Sequence, residues 1–443
     1  MKRQVLSIVL VVVFFLSSFG YVYSEPDMDI IAETAIVMDG TTGQILYDKN
    51  MYEQMYPAST TKIMTAILAI ENCDLDQIIT IDAKTPFTEG SRTYLVEGEQ
   101  LTVEQLLYTL LLQSANDSAV ALAKHISGSV EEFAKLMNNK AVEIGAQDTN
   151  FVNPNGLPDE NHVTTAYDLA MIARYAMENE TFREMVGTST VYTIPATEQQ
   201  DERKFMTRNK LMWDQKKSLY YNGEYISPKY EYATGIKTGF TMAAGNCLVS
   251  SAKKDGREVI AVVLKSDVNN VFLDSIKLLE NGLNNYKNIT IVEQGEKAGS
   301  ITIESGTQSS VDAVVSGSIK KTVPVDWRMA DIEKEALLKE SLTAPVKKGD
   351  DLGKLIIRHN GEVLNEVAVI ALNDVEMSRT AAVTTKLTDG FNNFKYIIFG
   401  VLIFIAAYGL LVMKINITRR RKRRIRRNKY QLDNDYIRRN ILK

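Results

Sequence analysis

The feature that most constrains this 443-residue chain is a charge-free stretch of 18 residues, Tyr396–Met413, bounded by Lys395 and Lys414. As a helix it would extend about 27 Å, close to the hydrocarbon thickness of a bilayer. Residues 414–443 then carry 13 Lys/Arg against 2 Asp/Glu, a net of +11. A basic cluster beside an apolar helix stays cytoplasmic and lies against anionic lipid. A nucleic-acid arm is the other reading of any basic run, but the position directly after a span favours topology. At the opposite end stand Met1-Lys2-Arg3, an apolar run from Val5 to Phe19, and Val22-Tyr23-Ser24. Residues 1–24 read as a secretory signal cleaved near Ser24, with an uncleaved anchor as the alternative. The working part of the chain then faces outward.

Charge supports this division. The whole chain is −4; taking away the tail's +11 and the +2 of Lys2 and Arg3 leaves −17 on residues 25–413. An acidic body argues against a nucleic-acid partner. Two cysteines, Cys73 and Cys247, are too few for a disulfide-built scaffold or a four-thiolate zinc site. The histidines, His125, His162 and His359, are widely spaced and form no HExxH pattern. That argues against a zinc hydrolase and, less directly, against a Ser-His-Asp enzyme.

Between the ends, residues 33–48 read as a hairpin about Gly40-Thr41-Thr42-Gly43. Ile63, Ala66, Ile67 and Ile70 form one stripe of a helix that begins at or just before Ser59. Thr102 with Gln105 makes a capping-box start for an apolar helix that stops at Gln113. Helical patterns follow at 117–127, 130–144 and 164–179, and strand patterns at 188–194, 234–240, 246–253 and 258–265. A helix over 269–286 closes the domain. Strands, then mainly helices, then strands indicate an α+β architecture rather than a doubly wound one. From residue 288 to 378 short alternating segments with Gly and Ser turns suggest a small all-β domain, and residues 379–395 link it to the apolar segment.

Ser59-Thr60-Thr61-Lys62 puts a hydroxyl and an amine three residues apart, on one face of a helix. Ser is a weak nucleophile unless a base stands beside it. Lys62 can be that base only if burial or a second cation lowers its pKa. The spacing alone is weak: Ser250/Lys253, Ser251/Lys254 and Ser318/Lys321 repeat it, but on strand or turn patterns. Two further elements add weight. Ser114-Ala115-Asn116 lies between two helices, and Lys237-Thr238-Gly239 lies on a strand pattern and occurs once. Lys and Thr can hold a carboxylate, and Gly at a strand edge lets a substrate backbone approach.

These three elements, in this order, are those of penicillin-binding proteins and class A β-lactamases, with the middle one reading S-A-N rather than S-D-N. The chain resembles a low-molecular-mass penicillin-binding protein, a serine-type D-alanyl-D-alanine carboxypeptidase, from about residue 30 to 378. Asn153-Pro154-Asn155-Gly156-Leu157, Thr164-Thr165-Ala166-Tyr167-Asp168 and Gly235–Thr241 also carry the likeness. It implies a β-lactamase/transpeptidase-like domain over 25–287, with an antiparallel sheet and a helical subdomain, then the small β domain and the C-terminal transmembrane helix. It further implies an acyl-enzyme on Ser59 with Lys62 as proton acceptor, and Ser114 relaying a proton to the leaving D-alanine. Asn116 would hold the substrate amide, and Lys237 and Thr238 its terminal carboxylate. Gly239 and Phe240 would lie along the substrate, the N–H groups of Ser59 and Phe240 forming the oxyanion hole. The substrate would be peptidoglycan stems ending in D-Ala-D-Ala, with β-lactams as covalent inhibitors and no metal or cofactor. A β-lactamase or D,D-endopeptidase on the same fold, or a wall-binding protein without turnover, are the rival readings.

The remaining residues have plainer readings. His162 orders loop backbone near the site, and His125 and His359 are structural. Cys247 is a buried small hydrophobe, Asp168 a helix cap. Residues 214–231, with Tyr220, Tyr221, Tyr225 and Tyr230, either line the cleft or pack on the domain surface.

Overall fold

The computed structural model describes residues 28–440, so the signal reading of 1–24 lies outside it. The chain divides into two compact units. One comprises the residues up to Ile291 together with Lys320–Arg328; the other is Val292–Ile319 together with the chain from Met329 onward.

The first unit is built on a five-stranded antiparallel sheet: β1 (Thr34–Asp39), β2 (Ile45–Lys49), β3 (Ala233–Thr241), β4 (Gly245–Lys254) and β5 (Arg257–Ser266). Its order is β2-β1-β5-β4-β3. Both faces are covered, and strand alternation divides the core accordingly. Val259, Ala261 and Val263 of β5 face Ile276, Leu279 and Leu283 on helix α7 (Asn270–Asn284). Ile260, Val262 and Leu264 face the helical subdomain, packed with Ile63, Ile67, Leu106, Leu110 and Leu169.

That subdomain comprises α1 (Lys62–Asn72), α2 (Val103–Leu112), α3 (Asn116–Ser127), α4 (Val130–Ile144), α5 (Ala166–Met177) and α6 (Glu180–Gly187). The expected capping box forms: Thr102 Oγ1 accepts from Gln105 N, and Gln105 Oε1 from Thr102 N. The pattern over 164–179 corresponds to α5 alone. Asn179 accepts from Phe182 N and starts α6, which the sequence reading left out. Asp168 does not cap α5; Thr165 does, and Asp168 instead accepts from Asp148 N and Thr149 Oγ1. Its carboxylate thus ties the preceding loop to the helix.

Residues 320–328 belong to the first unit for a visible reason. Asp39, fully buried, pairs with Arg257 and accepts from Asn288, and Asn288 in turn accepts from Thr322. A short ladder of 286–292 with 319–324 accompanies this network.

The second unit holds a six-stranded sheet of β6 (Lys297–Glu304), β7 (Ser310–Val315), β8 (Ile332–Leu338), β9 (Ser341–Thr343), β10 (Asp351–His359) and β11 (Glu362–Ala371). The order is β8-β10-β11-β7-β6-β9, with only the β6–β9 pair parallel. Strand β8 was not legible, because Ile332-Glu333-Lys334-Glu335 puts charge on an exposed strand. A helix α8 (Arg379–Asn440) follows. Its part Phe394–Gln431 contains an 18-residue window apolar enough to cross a membrane.

Candidate active site

The site forms where the sheet edge β3 meets the start of α1. Ala58–Thr61 is a turn of 3₁₀ helix that runs into α1, so Ser59 sits one turn before Lys62. Ala58 has φ +47° and Ser114 φ +63°, both in the left-handed region that non-glycine residues avoid. Two such residues at one cleft mark a backbone held by its surroundings.

Two glycines permit the close packing around Ser59. A Cβ on Gly239 would stand 3.1 Å from the backbone N of Ser59 and from the carbonyl of Pro57. A Cβ on Gly156, at φ +81°, would stand 1.8 Å from the carbonyl oxygen of Ala58. The loop 150–157 is fastened to α1 by Thr65 Oγ1, which donates to Pro154 O. His162, buried, braces the same corner: its Nδ1 accepts from Val152 N, so its Nε2–H donates to Thr61 Oγ1 at 2.8 Å. Burial holds this imidazole neutral, down to about 4. The reading of His162 as a loop-ordering residue fits this geometry.

Lys62 is the centre of the arrangement. Its Nζ, wholly buried, lies 3.0 Å from Ser59 Oγ, 2.7 Å from Asn116 Oδ1 and 2.5 Å from the carbonyl of Asn155. The Asn116 amide is oriented from its other side, where Nδ2 donates to Glu89 O. Burial first, and the cations Lys237 and Arg208 next, push the Lys62 pKa well below the ordinary lysine value; Asp117 opposes them. Lys237 is likewise buried and is brought down to about 7 by burial and then by Arg208. Its Nζ donates to the carbonyl of Thr238.

A neutral amine has two protons and one lone pair. Asn116 Oδ1 and the Asn155 carbonyl can only accept, so they take both protons. The lone pair is left for the hydroxyl of Ser59. The geometry thus makes Lys62, once neutral, a base aimed at Ser59.

A cleft of about 230 Å³ opens at this point, with Ser59, Ser114, Thr238, Gly239 and Phe240 among its walls. Ser59, Ser114, Thr238, Gly239 and Phe240 meet here directly, Asn116 joins them through Lys62, and Lys237 through its bond to the Thr238 carbonyl. Ser114 is buried but hydrogen-bonds to neither lysine; among the described residues its Oγ has no partner. Phe240 is mostly exposed at the rim. Cys247 lies on β4 opposite Gly239 and both cysteines are free, so no Cys73–Cys247 disulfide forms.

Two contributors escaped the sequence reading. Arg208 lines the cleft and donates to Ser91 Oγ at 2.9 Å, but no motif surrounds it. The Asn155 carbonyl is a backbone group, which side-chain patterns do not reveal, although Asn155-Gly156 lay within a segment carrying the resemblance. Asp117 next to Asn116 is also part of the frame: fully buried, it accepts from the backbone N–H groups of Thr93, Leu95 and Ser118. Of the aromatic segment, Tyr220 and Tyr225 stand exposed on a small hairpin, 219–226, and do not line this cleft.

Comparison with known proteins agrees with this construction. Residues 21–268 match the D-alanyl-D-alanine carboxypeptidase family, and residues 286–377 match the C-terminal domain of penicillin-binding protein 5. The chain is 33% identical over 352 residues to the D-alanyl-D-alanine carboxypeptidase DacF of Bacillus subtilis, covering 78% of this chain and 86% of that one. It superposes on penicillin-binding protein 5 of Haemophilus influenzae with a TM-score of 0.67 at 28% identity, over 80% of this chain and 99% of the other. The D-alanyl-D-alanine carboxypeptidase DacD of Francisella tularensis gives 0.61 at 28% identity, over 82% and 98%. The chain belongs to the D-alanyl-D-alanine carboxypeptidase family and is a hydrolytic peptidase of the low-molecular-mass penicillin-binding type.

Proposed function

We propose that this carboxypeptidase removes the terminal D-alanine from peptidoglycan pentapeptide stems through an acyl-enzyme on Ser59. The observation that carries the reading is the Lys62 amine, with both protons committed to Asn116 Oδ1 and the Asn155 carbonyl. Lys62 takes the Ser59 proton as Oγ attacks the carbonyl between the two D-alanines. The N–H groups of Ser59 and Phe240 receive the oxyanion, each such donor being worth roughly 10²–10³ in rate. Collapse breaks the C–N bond, and D-alanine leaves with a proton passed through Ser114. Water then cleaves the ester and restores Ser59. Lys237 and Thr238 hold the substrate's terminal carboxylate, Asn116 and the strand edge at Gly239 its backbone. Arg208 keeps the cleft electropositive.

β-Lactams would acylate the same Ser59. The division at 287/288, the span 396–413 and the outward body with a cytoplasmic basic tail remain part of this proposal. The apolar part of α8 and the +11 tail support them.

The test uses the full-length chain in detergent with a peptide ending in Lys-D-Ala-D-Ala, measuring free D-alanine, with Ser59→Ala as control. Release that vanishes in the variant supports the reading. A folded protein that releases none, yet cleaves cross-linked stems or only takes up penicillin, overturns it in favour of an endopeptidase or a wall-binding protein.

A further inference from the structure

A second cavity of the first unit shares a wall with the active cleft. Val271 and Phe272, in the first turn of α7, line the cleft, whereas Asn270 and Leu273 line a cavity of about 700 Å³. The hairpin at Tyr220–Asn222 and the segment at Met28–Ile31 form its other sides. This volume falls within the range of about 300–1,000 Å³ usual for ligand sites.

Its chemistry is specific in kind. Glu280 makes no hydrogen bond or close ion pair among the described residues, and its half-buried carboxyl is pushed up by burial, with the charge of Lys254 opposing. Asn270 gives its Nδ2 to Asp267, which leaves Oδ1 open to the cavity's ligand. Asn284 Oδ1 accepts from Lys254 Nζ, which leaves Nδ2. Tyr220 is 61% exposed and meets Tyr225 edge-on at 5.3 Å, so one ring face stays available. Lys277, the one cation on the wall, is engaged by the carbonyl of Asp29. Asp29 and Glu280 stand against Lys277 among the lining residues, a formal net of −1 that does not favour an anionic ligand, and an apolar one would bury amides and a carboxylate without partners. A polyhydroxylated ring suits all of these groups. Its hydroxyls both donate and accept, and its C–H face packs on an aromatic ring.

We infer that this cavity binds the amino-sugar glycan strand to which the substrate peptide is attached, while the end of the stem occupies the cleft. This rests on the stem-peptide reading above for the identity of the glycan. It also assigns the tyrosine-rich hairpin, which the cleft itself does not use, as one wall of a glycan site.

The experiment uses the full-length chain in detergent and two probes. Glycan strands stripped of their peptides, with the freed carboxyls amidated so that the strand stays neutral, are titrated calorimetrically into the native chain, Tyr220→Ala and Glu280→Gln. D-Alanine release is measured from a free stem peptide and from the same stem on a short glycan. An exposed aromatic contact of ~0.5–1.5 kcal/mol corresponds to roughly 2–10-fold. Tyr220→Ala is therefore expected to bind stripped glycan that much more weakly and Glu280→Gln to shift binding in the same direction, both raising KM for glycan-linked stems with release from free peptide unchanged. Native and variant chains that bind stripped glycan equally, or not at all, overturn the inference. Failure to release D-alanine from either substrate would instead remove the carboxypeptidase reading, and the titration would still decide the cavity.

Discussion

Gly156 packs so tightly on Ala58 that a Cβ there would come within 1.8 Å of the Ala58 carbonyl oxygen. The contact is between the loop that supplies the Asn155 carbonyl and the turn that presents Ser59, so it fixes the distance between Lys62 and its partners. Gly156→Ala is expected to displace that turn, abolish penicillin uptake and lower the melting temperature. Gly98→Ala is the fitting control, since Gly98 has nearly the same φ, +80°, with nothing within 4 Å of an added Cβ. It should cost only the left-handed backbone penalty, about 1–2 kcal/mol, and leave turnover intact. Equal melting shifts for the two variants, with activity retained in both, would remove the packing argument.

Lys62 must act as a neutral base, and its substitutions separate charge from basicity. Lys62→Ala deletes the base, and Lys62→Arg keeps a cation that does not deprotonate. Both are expected to slow acylation of Ser59 by a labelled penicillin by about 10³-fold or more, given that nucleophile and base act as one unit. Asn116→Asp would set a carboxylate 2.7 Å from Nζ and hold the proton on it. The acid limb of its acylation profile should therefore move to higher pH. An unmoved limb would show that Asn116 is not in charge contact with the base.

The readability of this site in the sequence followed the kind of group involved. Ser59 and Lys62 were legible because helical spacing puts them on one face, and Lys237-Thr238-Gly239 because a strand pattern surrounds it. The hairpin 33–48 and the Thr102–Gln105 cap were legible from local chemistry alone. Arg208 was not, since its importance comes from a long-range approach to two lysines that no local pattern encodes. Helix α6 hid behind the end of α5, where one polar residue, Asn179, both ends one helix and starts the next. Asp168 looked like a cap by position, yet Thr165 stands three residues before it and takes the cap geometry.

Lys237 gives a second pH dependence of opposite sense. In the free enzyme its pKa is lowered to about 7, by burial and then by Arg208. Binding a carboxylate needs the charged form, so kcat/KM should fall as pH rises through that value, while Lys62 must already be neutral. A bound carboxylate favours the ammonium, so the same limb should lie at higher pH in kcat. Lys237→Arg stays charged and should lose this basic limb in kcat/KM. If the arginine variant keeps the limb, another group sets it.

His162 ties acid stability to the same corner. Its folded pKa is lowered to about 4 from 6.5, mainly by burial, with Asp159 working against the shift and Lys62 with it. The unfolded chain therefore binds more protons between those values, so stability rises with pH across the window. The contribution is fully present above about 6.5 and is lost as pH falls toward about 4, amounting to roughly 3 kcal/mol for this shift. Protonation also puts a second donor on Nδ1, where Val152 N already donates, and so opens the brace to loop 150–157. His162→Gln cannot titrate, so its urea midpoint should lie below the native one at pH 7 but change less between pH 6.5 and 4. Parallel pH profiles for the two proteins would assign the acid sensitivity to another group.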